Sequence, residues 1–161
     1  MIGNDIVDLA LALKDSNWKR KGYLDKIFTK NEQLLIIKSD NPENTVWNLW
    51  SRKEAAYKIF NRNTGIRIYN PIQFECFETD KSIGKVMCNG VLYYTKTDIN
   101  LDYIHTVSVL NSTDFESIKL LNRNIKIVKI DGIPFLKGNN KKINPISISN
   151  HGRFEKIVSL F

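Results

Sequence analysis

The 161 residues carry 24 Lys and Arg against 17 Asp and Glu, a formal net charge of +7, and 42% of them are hydrophobic. This length and apolar fraction are typical of one compact domain with a real core, which argues against disorder along the whole chain. The longest apolar runs are too short to cross a bilayer and residues 1–5 lack the pattern of a signal peptide, so we expect a cytoplasmic protein with no membrane partner. The positive charge favours an acidic partner without choosing among nucleic acid, a phosphorylated ligand and an acidic protein.

The first predicted element is a short, largely buried strand over residues 2–9. Asp5 is a poor strand former, and a buried carboxylate is costly unless it is paired or bound to a metal ion. Two interpretations of Asp5 therefore stay open, a cap at the strand end and a metal ligand. Gly3 lets another group approach the strand backbone closely, and Asp8 could cap the element that follows.

Two short helices are predicted next. Residues 16–26 are expected to form the first, and Thr29 followed three residues later by Glu32 has the spacing of a capping box that begins the second. The basic run over residues 19–21 is interpreted as a solvated face, with contact to phosphate or to an acidic partner as the alternative.

The long central helix is the most clearly predicted element. Asn41 can cap it, Pro42 suits its first position, and no glycine or further proline interrupts the sequence before about residue 63. Residues four apart share a helix face, so Trp50, Glu54 and Lys58 should form one stripe. The neighbouring faces should meet the core through Ala55, Ala56, Ile59 and Phe60. The remaining question is whether Glu54 belongs to an exposed ladder of charges or is a metal-binding carboxylate with lysines held near phosphate. The ladder would consist of Arg52, Lys53, Glu54 and Lys58.

Beyond residue 65 the composition favours β-structure. We predict strands over residues 72–77, 84–88, 91–94, 104–110, 125–130 and 157–160, a helix over 113–121 and a basic loop over 137–142. Cys76 and Cys88 lie in predicted strands and are expected to be free, buried thiols, because no second cysteine pair exists to form a zinc site. His105 is expected to be structural or exposed.

Three segments carry a resemblance to a known family. Residues 3–6 resemble the Gly-x-Asp-[Ile/Val] motif of the 4′-phosphopantetheinyl transferase superfamily, and residues 50–58 match its Trp-x-x-Lys-Glu-Ala-x-x-Lys motif at every fixed position. Residues 147–151 resemble its Ser-Ile-Ser-His segment. This resemblance implies a single α+β domain over residues 1–161, with an antiparallel sheet packed against the long central helix.

The resemblance also implies a reaction. Such enzymes use Mg²⁺ to transfer the 4′-phosphopantetheine group of coenzyme A to a serine of an acidic apo acyl or peptidyl carrier protein, and they release 3′,5′-ADP. By the matched motifs, Asp5 and Glu54 would bind magnesium, while Glu54 and Lys58 would be catalytic. The expected coenzyme A contacts are Lys58, Ser149, Asn150 and His151.

Departures from the family pattern leave several points open. Val7 stands where the larger, surfactin-synthase type has a third acidic ligand. In this respect the chain resembles the smaller, fatty-acid-synthesis type, in which water fills that position. The smaller type is a trimer with sites between subunits. Asn150 stands at the usual histidine position and His151 follows it. Residues 1–110 look like the second half of the larger type and residues 122–161 like a shortened piece of its first half. The chain therefore either completes its own site or borrows a segment from a neighbouring copy.

Two alternatives to an active transferase remain. One is a family member that binds coenzyme A without transferring its arm. The other is a basic nucleic-acid-binding module, although no nucleic-acid-binding motif accompanies the basic clusters, and we therefore expect no nucleic-acid partner. The sequence does not indicate whether the carrier protein serves fatty-acid, polyketide or peptide synthesis.

Overall fold

A 23-residue helix, α4 (Pro42–Thr64), organises this computed structural model, which describes residues 1–137 and 143–161. The predicted cap is present, since the Asn41 side chain accepts a hydrogen bond from the Asn44 N–H at 3.0 Å. The helix ends at Gly65, whose φ of 71° suits a residue without a Cβ atom. The residues predicted to face the core are all buried, namely Ala55, Ala56, Ile59 and Phe60.

The first sheet packs against α4. It comprises β1 (Ile2–Asp8), β2 (Glu75–Phe77), β3 (Ile83–Cys88), β4 (Val91–Ile99) and β5 (Tyr103–Val109) in the order β1-β5-β4-β3-β2. All of its pairings are antiparallel, and apolar side chains of the sheet join those of α4 in one core. The predicted α+β class, with an antiparallel sheet on a long helix, is confirmed. Cys76 and Cys88 are free and buried, as expected.

A second antiparallel sheet, which the sequence did not predict as a unit, lies beside the first. Its strands are β6 (Ile118–Leu121), β7 (Ile127–Ile130), β8 (Ile133–Lys137), β9 (Ile143–His151) and β10 (Phe154–Leu160), in the order β6-β10-β9-β8-β7. β9 packs along β1, which is an edge strand of the first sheet. Apart from Lys137, the predicted basic loop over residues 137–142 falls outside the described residues.

Two helix predictions are wrong. The predicted helix over residues 16–26 is replaced by α1 (Leu9–Asp15), which Asp8 caps as expected, a turn, and α2 (Tyr23–Ile27). Gly22, with a φ of 77°, interrupts a continuous helix there. The predicted helix over 113–121 is a 3₁₀ turn, Ser112–Ser117, followed by strand β6. Pairing of β6 with β10 overrides the local helical pattern there.

The next helix, α3 (Lys30–Lys38), begins with the predicted capping box of Thr29 and Glu32. In the described ranges, no helix has both the length and the apolar composition needed to span a membrane.

Candidate active site

The edge strand β1 is joined to β9 by side chains rather than by a backbone ladder. Backbone N–H groups at alternate β1 positions donate to side chains at alternate β9 positions: Asn4 to Ser147 Oγ (2.9 Å), Ile6 to Ser149 Oγ (3.1 Å) and Asp8 to His151 Nδ1 (2.8 Å). Because side chains alternate along a strand, residues two apart share a face, and this periodicity brings all three acceptors to β1. His151 rather than Asn150 therefore continues the serine face of β9, although its role toward a ligand stays a prediction.

Asp5 is held at the junction of β1, β9 and α4. Its Oδ1 accepts a hydrogen bond from Ser149 Oγ at 3.0 Å and lies 3.9 Å from Lys58 Nζ. Only 13% of the Asp5 side chain is exposed. Burial raises the pKa of Asp5, while the Lys58 charge and the Ser149 hydroxyl oppose that rise. Asp5 is thus a buried carboxylate in a strand whose charge is partly stabilised by Ser149 and Lys58.

Gly3 explains how β1 comes so near α4. A Cβ atom at Gly3 would lie 2.0 Å from the Ala55 carbonyl oxygen, so no other residue fits without moving one of the two elements. The predicted close approach at this glycine is confirmed. It brings Asp5, two residues further along β1, close to the helix that carries Glu54.

Glu54 is electrostatically coupled to Asp5. Burial, with a further contribution from the Asp5 charge, raises the pKa of Glu54 to about 7, and Lys58 lowers it. Two like charges that approach each other in a poorly hydrated site disfavour each other's ionised form. The pair is therefore suited to a bound cation or to a shared proton.

One cavity of about 280 Å³ contains this pair. Asp5 and Glu54 lie on its wall together with Trp50, Asn150 and His151. In the described ranges no three His, Cys, Asp or Glu side chains cluster as a metal site, so the two carboxylates form the candidate centre. The structure thus brings Asp5 and Glu54 together as predicted, and their role as metal ligands stays a prediction.

Lys58 and Ser149 lie next to Asp5 but do not line this cavity. Lys58 Nζ donates to the carbonyl oxygens of Asn4 at 2.6 Å and Ile148 at 3.3 Å, so it bridges β1 and β9 next to Asp5. Burial lowers the pKa of Lys58, and the two nearby carboxylates raise it. Ser149 orients Asp5 rather than lining the cavity.

Sequence reasoning missed a clamp between Arg153 and Asp8. Arg153 donates to Asp8 through Nε and Nη2, each at 2.9 Å, and through its backbone N–H at 3.0 Å. These bonds hold the pKa of Asp8 well below its usual range. The clamp fixes the turn after β9 against the end of β1, which positions His151 and Asn150. The adjacent Gly152-Arg153 pair was the only sequence signal.

Lys53 does not lie on an exposed face of the helix. Its side chain is fully buried, and Nζ donates to Glu32 Oε2 at 2.7 Å and to the Pro71 carbonyl oxygen at 3.0 Å. Arg52 is buried as well, donating to Thr95 Oγ1 at 2.7 Å. The exposed charge ladder considered for this helix is therefore wrong for these two residues. Two adjacent residues of one motif therefore have different roles: Lys53 stabilises the core through Glu32, and Glu54 lines the candidate site.

Comparison with known protein families gives one match that includes these residues. A family model described as the 4′-phosphopantetheinyl transferase superfamily matches residues 1–108. That range includes Asp5, Glu54 and Lys58 and ends before β9.

Two solved structures share the fold. An apo-ACPS structure from Chronobacterium ammoiniagenes is 14% identical with a TM-score of 0.54, and the match covers 67% of this chain and 93% of that one. Helicobacter pylori holo-[acyl-carrier-protein] synthase in complex with coenzyme A is 15% identical with a TM-score of 0.52, covering 69% of this chain and 100% of that one. The search of curated proteins found no significant match.

Proposed function

Because the chain belongs to the 4′-phosphopantetheinyl transferase superfamily, we propose that it transfers the 4′-phosphopantetheine group of coenzyme A to a serine of an apo carrier protein. The observation that carries this proposal is the convergence of Asp5 and Glu54 on one cavity from two distant parts of the sequence. The neighbour from H. pylori was solved with coenzyme A, which supports coenzyme A as the donor.

The acidic pair fits a magnesium ion. Burial raises the pKa of both Asp5 and Glu54, and the Asp5 charge adds to the rise at Glu54, so a divalent cation would relieve their repulsion. Magnesium typically takes one or two carboxylates and fills its other positions with water and phosphate oxygens. When bound, it would withdraw charge from the diphosphate of coenzyme A.

The chain's own residues supply the remaining functions. Glu54, whose side chain lines the cavity beside Asp5, is assigned to accept the proton of the carrier serine hydroxyl. The serine oxygen then bonds to the phosphorus attached to the pantetheine arm, the bond from that phosphorus to the bridging oxygen breaks, and 3′,5′-ADP leaves. Lys58 provides a fixed positive charge for phosphate oxygens beside Asp5.

His151 is proposed to contact a phosphate of coenzyme A. Its Nδ1 accepts from the Asp8 N–H, so the neutral ring carries its proton on Nε2 and can donate it to an oxygen. Asn150 presents a second possible donor on the same cavity wall.

We infer that one chain completes its own site as a single domain over residues 1–161. β9 of the same chain already satisfies three N–H groups of the β1 edge, which leaves that edge less available to a neighbouring copy. Mixing an Asp5→Ala variant with a His151→Ala variant should then give no more activity than the two variants give when measured separately and summed. Recovery of activity on mixing would instead indicate a site shared between subunits, as in a trimer.

We propose that the carrier is acidic and that this protein is cytoplasmic. Lys19, Arg20 and Lys21 are exposed between α1 and α2, close in sequence to Ser16 and Tyr23, which line the candidate cavity. Positive charge there would attract an acidic protein and speed its encounter with the site.

The test is incubation of the protein with coenzyme A, Mg²⁺ and a panel of apo carrier proteins from fatty-acid, polyketide and peptide synthesis. Mass spectrometry should show a carrier gaining one phosphopantetheine group. Binding of coenzyme A with no mass gain on any carrier would indicate a non-catalytic family member. Salt-sensitive binding to random oligonucleotide, unaffected by coenzyme A, would favour the nucleic-acid alternative.

A further inference from the structure

A second, smaller cavity is lined by Lys58, whose Nζ lies 3.9 Å from Asp5 Oδ1. Its volume is about 170 Å³, and α4, β9 and the turn around Gly132 form its walls. Lys58 and Arg62, one helical turn apart, are the charged residues on this wall, and no carboxylate accompanies them in the part of the chain that is described. The cavity is therefore cationic, in contrast to its acidic neighbour.

Arg62, which lines this cavity, has an unused hydrogen-bond donor. Its Nη2 donates to the Ile146 carbonyl oxygen, whereas Nη1 is buried and meets no acceptor among residues 1–137 and 143–161. No ion pair joins Arg62 to a carboxylate in those ranges either. A buried guanidinium N–H without an acceptor is unfavourable, and an oxyanion would satisfy it. Burial lowers the pKa of Arg62 only to about 10, so the group stays positively charged near neutral pH.

The proposed substrate carries an anion that suits this place. Coenzyme A has a diphosphate and, separately, a phosphomonoester on its ribose. The diphosphate is assigned to the Asp5 and Glu54 side of Lys58, where a divalent ion can balance both sets of negative charge. The phosphomonoester needs cations without carboxylates, and a guanidinium beside an ammonium group meets that need.

We propose that Arg62, with Lys58, binds the ribose phosphomonoester of coenzyme A and makes the protein prefer coenzyme A over dephospho-coenzyme A. This inference rests on the proposed function, since it names the part of the same substrate that Arg62 recognises. Arg62 thereby acts as a specificity residue one helical turn beyond the matched motif, which ends at Lys58.

The test is calorimetric titration of wild-type protein and an Arg62→Gln variant with coenzyme A and with dephospho-coenzyme A, without any carrier protein. The wild type should bind coenzyme A more tightly, and Arg62→Gln should reduce that preference by roughly tenfold, the effect of losing a charge-assisted hydrogen bond. Arg62→Lys, which keeps the charge but loses the planar fork, should retain part of the preference.

Arg67→Gln is the matched control. Arg67 is exposed, lies near the turn at Gly132 and does not line the cavity, so its loss removes the same charge from the same region. Arg67→Gln should keep the wild-type preference. Equal affinities of the wild type for the two nucleotides, or an equal loss for both in Arg62→Gln, would overturn the role of Arg62 while leaving the proposed function standing. Failure of the wild type to bind either nucleotide would overturn the proposed function itself.

Discussion

Replacing Lys53 by methionine should destabilise the fold strongly, whereas Glu54→Gln, one residue further along the same motif, should leave it intact. Lys53 Nζ and the Glu32 carboxylate form an ion pair at 2.7 Å, and neither side chain is exposed. Methionine keeps most of the volume of lysine but supplies no charge. The Glu32 carboxylate would then remain buried without its cation.

The size of the stability loss depends on the hydrogen bonds that Glu32 keeps in the Lys53→Met variant. Breaking a buried pair by removing one partner typically costs 3–5 kcal/mol. Glu32 would still accept hydrogen bonds from the N–H groups of Cys76 at 2.7 Å and Thr29 at 2.8 Å. We therefore expect Lys53→Met to lower the free energy of unfolding by about 3 kcal/mol, the low end of that range. For a chain of this size this loss corresponds to a fall in Tm of roughly 6–12 °C.

The assay is urea unfolding followed by circular dichroism, with the carrier-modification assay run in parallel. A Glu32→Gln/Lys53→Met double variant should recover more than half of the lost stability, because it removes the stranded charge. Glu54→Gln should lose transfer activity but unfold at the wild-type urea concentration or above, since burial disfavours its ionised form. A loss below about 1 kcal/mol in Lys53→Met would refute the assigned burial of this pair.

Three further predictions concern Asp5, His151 and His105. Asp5→Asn should abolish magnesium-dependent transfer with little change in the unfolding midpoint; near-normal turnover would remove Asp5 from the site. His151→Ala should weaken coenzyme A binding and cause a smaller loss of transfer than Asp5→Asn; unchanged affinity in titration would leave His151 with only its contact to Asp8. Burial lowers the pKa of His105 from 6.5 to about 4, so its stabilising neutral form is fully present above pH 6.5 and is lost as pH falls toward 4. Between pH 8 and pH 5 the free energy of unfolding of the wild type should therefore fall by about 2 kcal/mol more than that of His105→Gln. The glutamine keeps an acceptor for the Asn4 amide. Parallel dependence of the two stabilities on pH would contradict this prediction.

Local signals in the sequence were sufficient for the helix, whereas the pairing of Asp5 with Glu54 was predicted from the matched family motifs. Asn41, Pro42 and an uninterrupted helical composition predicted α4, and spacing by four placed Glu54 and Lys58 on one face. Gly3 predicted the close contact of β1 with another element. These features depend on a few neighbouring residues, so composition and spacing reveal them.

Features that depend on distant residues could not be predicted. The burial of Lys53 requires Glu32 and Pro71 to meet it, and nothing local distinguishes it from an exposed lysine. The register of β9 against β1 decides that His151 faces Asp8, and only the folded arrangement of two strands far apart in sequence shows it. The helix predicted over residues 113–121 failed for the same reason, because pairing with β10 decides its conformation.

The most direct measurement is a crystal structure of the protein grown with coenzyme A and Mn²⁺, an oxygen-preferring ion that can be located by its anomalous scattering. We expect one ion bound by the carboxylates of Asp5 and Glu54, with the diphosphate of coenzyme A completing its coordination and Lys58 beside it. An ion bound elsewhere, or coenzyme A in a site that does not include Asp5 and Glu54, would contradict it.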